Sequence, residues 1–462
     1  MQPIPCPSRA RGRWYLTALP PLRRASEASP DYTPDVGSAL RCVVPLTIIN
    51  SITIMKTITA TKKTNTGGAN SDDSNVRIHL DFLDGLRGLA ALYVMLCHMY
   101  LSQFGMVART GGRGVAFNWL LYGHLAVDVF IVLSGFCLAI PVAQVQHIKG
   151  GPSEFLRRRA RRILPPFYAS LLLCVVLLLI SHFVEHGHSL PFTIKGLIAN
   201  ALLLQDLFPE LDMQFNPPFW SVAVEWKIYF LFPFLLLIWR RYGHFGLLGI
   251  SAAIGLVVTV GLRLIHPGAH LGHTCPWFLF LFAMGVASGL FTFNVRSREY
   301  IPRSIWGVGI FCPVLLFLLV TYPITGKGEA EMFVPHLPLI DITMGALMSS
   351  FLMLLTHHVR REDNNLLLLL LTRRPIVMLG IFSYSLYLVH YPLIDYVALL
   401  IHKIPVVGDS TGLRAALLFI AGAPSIILFS YVFFLCFERP FLNAKRVRRD
   451  SLADTAALEP AL

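Results

Sequence analysis

Charge is what this chain has least of. Only 14% of its 462 residues are Asp, Glu, Lys or Arg, against 55% that are apolar, whereas soluble domains carry about 25% charged residues. That shortage excludes an ordinary soluble globular protein and points to a chain that crosses a membrane several times. Acidic residues are scarcer than basic ones, 26 against 39, and the formal net charge is +13. The basic residues sit in short loops between apolar runs rather than on one patch. No nucleic-acid partner is expected from that distribution, which is the pattern of loops retained on the cytoplasmic side of a membrane. Paired cysteines are missing as well. Six of the eight (Cys97, Cys137, Cys174, Cys275, Cys312 and Cys436) lie singly inside apolar segments, and there is no CxxC. Neither a disulfide framework nor a zinc site is expected from such spacing. An evident internal repeat, which many transporters have, is also lacking.

What is present falls into three stretches. Residues 1–79 read as a disordered extension, poor in hydrophobic periodicity and rich in Pro, Ser, Thr and Arg. Its apolar piece, Val43 to Ile54, is too short to span and follows too many polar residues for a signal peptide. Met55-Lys56 offers a second starting point, from which the preceding residues would drop out. Residues 80–441 form the membrane domain, and 442–462 a cytoplasmic tail. The fold class expected is all-α, polytopic, with about ten transmembrane helices. They fall near 86–101, 123–141, 165–184, 219–239, 245–265, 274–292, 304–322, 336–356, 375–401 and 413–436. The shorter apolar piece at 192–206 reads as re-entrant or interfacial, and Leu366 to Leu371 as a segment lying along the interface. With the N-terminus inside, 20 basic residues fall on the cytoplasmic side and 7 outside. Both termini are then cytoplasmic, in a plasma membrane or bacterial inner membrane.

Ionisable groups inside spans cost about 2.5–3.5 kcal/mol each at the bilayer centre, so each marks a candidate functional site. Arg87 and His98 are eleven residues apart on the first span, which is three helical turns, so they share one face about 16 Å apart. Asp84, three residues before Arg87, is placed to pair with it. Histidine suits general-base work near neutral pH. Asp128 opens the second span at the end where the first finishes and is a candidate to orient His98, with helix capping as the alternative. Ser134-Gly135 suits close helix packing. The run Arg157, Arg158, Arg159, Arg161 and Arg162 places five guanidinium groups in six positions, more than a topology anchor needs. Such groups grip phosphate bidentately, and Arg159 and Arg162 share a helical face. Glu225 lies early in the fourth span with Lys227 near enough to neutralise it. Tyr387 and His390, at i and i+3, share a face of the ninth span.

These segments carry a resemblance. Leu83-Asp-Gly-Leu-Arg-Gly-Leu-Ala-Ala91 with His98 comes first, then Val127-Asp-Val-Phe-Ile-Val-Leu-Ser-Gly-Phe136. Phe155 with Arg158, Arg159, Arg162, Ile163 and Pro165 follows, then Trp220-Ser221 with Glu225, Tyr229 and Pro233. Ser383-Tyr-Ser-Leu-Tyr-Leu-Val-His-Tyr-Pro392 and Glu438-Arg-Pro440 close the series. In this order and spacing they resemble the acyltransferase 3 family of integral membrane O-acyltransferases, over about residues 80 to 441. The resemblance implies a ten-helix core moving an acyl group, commonly acetyl from acetyl-CoA, onto a hydroxyl of a carbohydrate or other acceptor. It implies that Arg87 and His98 form the Arg-x10-His pair of the active site; Asp128 is counted with them as a catalytic candidate on the reading given above. Arg159 and Arg162 match the Arg-x-x-Arg pair that handles the donor. Substrate or donor binding is expected of Asp84, Arg158, Arg159, Arg162, Glu225, Tyr387 and His390. No bound cofactor and no metal is expected; acyl-CoA is the donor substrate, and membrane lipid surrounds the protein. Some members carry a large esterase-like domain after the last span; only about twenty residues follow Pro440 here, and a step assigned to that domain would be absent or supplied by a partner. The competing class is a multi-span exporter of a polar metabolite, which intramembrane Arg, His and Glu would also suit.

Overall fold

The computed structural model describes residues 80–105, 117, 119–184, 191–265, 274–294, 329–361, 363 and 365–442 except 406, with isolated positions between 305 and 316. Two compact units divide the chain, residues 1–76 and 77–462, and the architecture described is that of the second. The expected disordered extension 1–79, almost all of the tail and most of the span expected at 304–322 lie outside the described residues.

Among the described residues every regular element is helical and there is no strand. In chain order they are α1 (Asp81–Phe104), α2 (His124–Val145), α3 (Gly151–Val184) and α4 (Ile194–Ala201). Then come α5 (Phe219–Ile265), α6 (Phe278–Phe293), α7 (Glu329–Arg360), α8 (Leu366–Leu371), α9 (Arg374–Ile381), α10 (Ser383–His402) and α11 (Thr411–Leu442). Seven described helices are long and apolar enough to cross a membrane, and α6 is a shorter apolar one.

Hydrocarbon explains the exclusive use of helix, since only helices and closed barrels satisfy every backbone group without water. α5 is 47 residues long, about 70 Å, which exceeds a hydrocarbon core of about 30 Å. Its helix breaks at Gly243, where φ is 68° and ψ is −163°, in a region open mainly to glycine. The two halves fall where the sequence reading placed spans four and five. The expected ninth span is not continuous: Phe382 separates α9 from α10. The arginine run also lies inside a helix rather than in a loop before one, because α3 begins at Gly151.

Small residues set the closest helix contacts, because lipid offers no hydrophobic drive for helices to associate and close backbone approach replaces it. A Cβ at Gly135 of α2 would sit 2.3 Å from the Phe282 carbonyl oxygen of α6, and one at Gly285 of α6 would sit 2.1 Å from that of Val132. The packing expected of Ser134-Gly135 is therefore present, between α2 and α6. α1 and α9 meet the same way, with a Cβ at Gly380 only 1.8 Å from the Asp84 carbonyl oxygen.

The segment between α3 and α5 does not span. α4 has eight residues and is capped by Thr193, whose hydroxyl accepts from the Gly196 N–H at 2.9 Å. The chain beyond it pins α10. Pro392 has no N–H to give the Leu388 carbonyl, four residues earlier. Ser170 Oγ of α3 and Asn216 Nδ2 donate to that carbonyl instead, at 2.9 and 2.8 Å. At the other end of α10, Glu438 of α11 accepts from the Ser385 N–H at 3.2 Å and its hydroxyl at 2.5 Å. The closing Glu438-Arg-Pro440 motif thus anchors the start of α10.

Candidate active site

α1 supplies the first cationic group. Arg87 Nη1 donates to Asp84 Oδ1 at 2.8 Å, the pairing that the i,i+3 spacing predicts, and Nη2 donates to Cys137 Sγ of α2 at 3.1 Å. Facing it, α3 turns Arg159 and Arg162 inward. These three arginines border one cavity of about 300 Å3, completed by Ser134, Ser221, Glu225, Tyr229, Tyr384 and Tyr387. The buried Arg159 Nε has no hydrogen-bond partner among the described residues.

Helical periodicity divides the arginine run. Arg157 donates to Glu154 at 3.0 Å, and Arg158 lies 3.6 Å from Glu154 and donates to the Lys149 carbonyl at 2.9 Å. Arg158 is therefore engaged away from the cavity, contrary to the donor-binding expectation. The cavity takes the two members one turn apart, Arg159 and Arg162.

Polar side chains on the opposite wall are tied to one another. Tyr229 OH donates to the Glu225 carboxylate and lies 2.7 Å from Ser134 Oγ. Ser134 was legible only as a packing residue, since its hydroxyl finds Tyr229 across 95 residues of sequence. Lys227 does not neutralise Glu225. Its ammonium bonds Asp206, in the short turn after α4, because successive helical residues point about 100° apart. Tyr387 OH reaches the Pro218 carbonyl at 3.1 Å and Ser221 Oγ at 2.6 Å.

Tyr387 connects the cavity to the histidines. Its ring lies 5.7 Å from that of His390, as the shared face predicts. His390 Nδ1 is 3.1 and 2.8 Å from the Leu386 and Tyr387 carbonyls. Carbonyls only accept, so Nδ1 carries the proton and Nε2 is the acceptor of the neutral ring. His98 Nδ1 lies 3.0 Å from that Nε2 and 3.0 Å from the Val94 carbonyl. It too must donate, which leaves His98 Nε2 with its lone pair. His98 and His390 are not in the cavity wall itself; they stand beyond it, and Tyr387 contributes to both.

Asp128 corrects the expectation that it orients His98. It is fully buried on α2, and neither of its oxygens meets an N–H or hydroxyl donor among the described residues. Its neighbours are His124, with Nε2 4.0 Å from Asp128 Oδ1, and Asp341 of α7. His390 holds the place behind His98. Sequence reasoning missed this partner because the two histidines are 292 residues apart. His124, Asp128 and Asp341 form the one group of three described residues whose ligand atoms could hold a metal. Cysteine spacing, on which the expectation of no metal rested, carries no information about such a set.

The family model described as an acyltransferase domain matches residues 80–435. Among curated proteins, the chain is 33% identical over 167 residues to the acyltransferase MdmB of Streptomyces mycarofaciens, a match covering 36% of this chain and 40% of that protein. It is 25% identical over 352 residues to the peptidoglycan O-acetyltransferase OatA of Listeria monocytogenes, covering 69% of this chain and 50% of that one. A putative peptidoglycan O-acetyltransferase of Bacillus subtilis, YrhL, matches at 25% over 342 residues, 68% of this chain and 48% of its own. The chain thus spans half or less of the length of these relatives. No solved structure matches it. With the family model covering most of the chain, and the motif residues Arg87, Arg159, Arg162, Glu225 and Tyr387 gathered around one cavity, the chain belongs to the acyltransferase 3 family.

Proposed function

We propose that this protein is a multi-pass membrane acyltransferase that moves an acyl group, acetyl in the first instance, from acyl-CoA to a hydroxyl of a glycan or other acceptor. One arrangement carries the reading. α1 is a single helix that holds Arg87 in the cavity wall and, three turns on, presents His98 to His390. The donor group and the base are therefore fixed to one rigid element about 16 Å apart along its axis.

The donor's phosphates pair with Arg159 and Arg162, with Arg87 as a third cation, in the bidentate geometry guanidinium groups favour. Its thioester reaches along the Tyr387 side of the cavity toward the histidines. His98 Nε2 takes the acceptor hydroxyl proton as that oxygen attacks the thioester carbonyl carbon. The C–S bond then breaks, the CoA thiolate departs, and the proton held by His98 leaves with it as thiol. His390 is a positioning residue: its Nε2 lone pair accepts from His98 Nδ1–H and strengthens that bond as positive charge develops on the His98 ring. The surrounding bundle keeps water from the thioester. The names of the relatives support O-acetylation, and two of them name peptidoglycan; a glycan hydroxyl is accordingly the acceptor class proposed. The excess of basic residues in the loops supports a cytoplasmic arginine end and cytoplasmic termini, on the side where acyl-CoA is available.

Inverted membrane vesicles supplied with acetyl-CoA and candidate glycans test the reading. Acceptor-dependent release of CoA thiol, with a matching acetyl mass increment on the glycan, is expected. An exporter would move the acceptor with no thiol released, and that result would overturn the proposal. A reporter fused after Leu462 that works only outside the cytoplasm would overturn the orientation.

A further inference from the structure

The end of the bundle away from the arginines holds a second group of ionisable residues that acyl transfer does not use. His124 and Asp128 are four residues apart on α2, and so share a face. Asp341 of α7 is brought to them from 217 residues away. His124 Nε2 lies 3.1 Å from Asp341 Oδ2 and 4.0 Å from Asp128 Oδ1. All three ligand atoms lie within 4.8 Å of one another. Both carboxylates are fully buried. Trp277 Nε1–H at the foot of α6 donates to Asp341 Oδ2 at 2.8 Å. No N–H or hydroxyl donor among the described residues meets the remaining Asp341 oxygen or either oxygen of Asp128, and the two carboxyl groups are each other's neighbours.

Two carboxyl groups closed into an apolar bundle require a cation or protons to offset the cost of desolvation. One neutral imidazole cannot satisfy both. From these contacts we infer that His124, Asp128 and Asp341 form a binding site for a divalent cation, zinc or manganese. One imidazole nitrogen and two carboxylate oxygens are the donors such ions take. Around an ion with bonds of about 2.0–2.1 Å, tetrahedral ligands stand about 3.3 Å apart. His124 stands 3.1 and 4.0 Å from the two carboxylates and all three ligand atoms lie within 4.8 Å, so closing on an ion draws the wider pairs in. Trp277 supports the set from outside by donating to Asp341 Oδ2, the same oxygen that faces His124, as groups behind metal ligands do. The cation ties α2 to α7 and neutralises two charges in the interior of the bundle. It also fixes the wall beside the cavity, because the Trp220 ring stacks on His124 at 5.6 Å and 11°, and the next residue, Ser221, borders the cavity and meets Tyr387.

Metal content of the full chain in lipid nanodiscs decides the matter without reference to activity. After loading with Zn2+ or Mn2+ and desalting, about one equivalent is expected in the wild type, and less than a tenth of that in Asp128→Asn and Asp341→Asn. A chelator should strip the wild type and lower its thermal unfolding temperature, and adding back zinc or manganese should restore it. This second measurement needs no variant to fold. Wild type that retains less than a tenth of an equivalent and shows no thermal response to either ion would overturn the site and leave the carboxyl pair protonated. Undiminished metal in both variants would place the ion elsewhere, for instance at the exposed His358–Asp363 pair, and would overturn it equally.

Discussion

The arginine cavity and the His124–Asp128–Asp341 cluster are both groups of ionisable side chains inside an apolar bundle, and they are satisfied in different ways. At the cavity the charges are spread over three helices around about 300 Å3 of space, and many polar atoms have one fixed partner: Arg87 has Asp84, Glu225 has Tyr229, and Tyr387 has Ser221. The arginines that border the cavity have room for a ligand beside them. At the cluster, two buried carboxyl groups lie close together, and His124 and Trp277 are the side chains seen to meet them. A buried charge in lipid needs a partner in either setting. The first arrangement suits a partner that comes and goes; the second suits a small resident ion.

The contrast can be attacked residue by residue, beginning with the largest effect. His98→Ala removes the ring nitrogen whose lone pair is not already engaged within the histidine pair. Acyl transfer should fall by about 10²–10⁴-fold, with the amount of protein in the membrane unchanged by immunoblot. Retention of near-normal transfer would move the base to another residue, and Glu225 would be examined first. Arg159→Ala combined with Arg162→Ala should raise the KM for acyl-CoA by about tenfold or more, as phosphate contacts are lost. Arg→Lys at both positions should recover only part of that, because Lys cannot bond bidentately. Equal kinetics in the double alanine variant would reduce the pair to topology anchors.

His390→Ala should be milder than His98→Ala and should act on kcat with little change in KM, because the residue orients the base and does not bind donor. His390→Gln, which keeps an acceptor oxygen within reach of His98 Nδ1–H, should recover part of the loss. A KM effect instead would make His390 part of the acceptor pocket. The smallest effect sharpens the boundary of the cavity. Arg158→Ala should alter the acyl-CoA KM less than twofold, since Arg158 is engaged by Glu154 and the Lys149 carbonyl. A change as large as that of the Arg159/Arg162 variant would mean that the whole run, not its inward face, grips the donor.

Much of this was legible before any coordinates. The low share of charged residues, the apolar runs of spanning length and the basic loops give an all-helical membrane protein, because hydrocarbon leaves the backbone few ways to satisfy its N–H and C=O groups. Local spacing predicted the Asp84–Arg87 pair, the shared face of Arg159 and Arg162, and the shared face of Tyr387 and His390, since each depends on one helix and a period of 3.6 residues. Tertiary structure alone decided the partners. His98 meets His390 rather than Asp128, Lys227 meets Asp206 rather than Glu225, and Asp128 meets His124 and Asp341. Each of these except the His124–Asp128 contact joins different segments of the chain. Which pairs form depends on how the helices pack, and helical periodicity says which face a side chain occupies without saying what is packed against it.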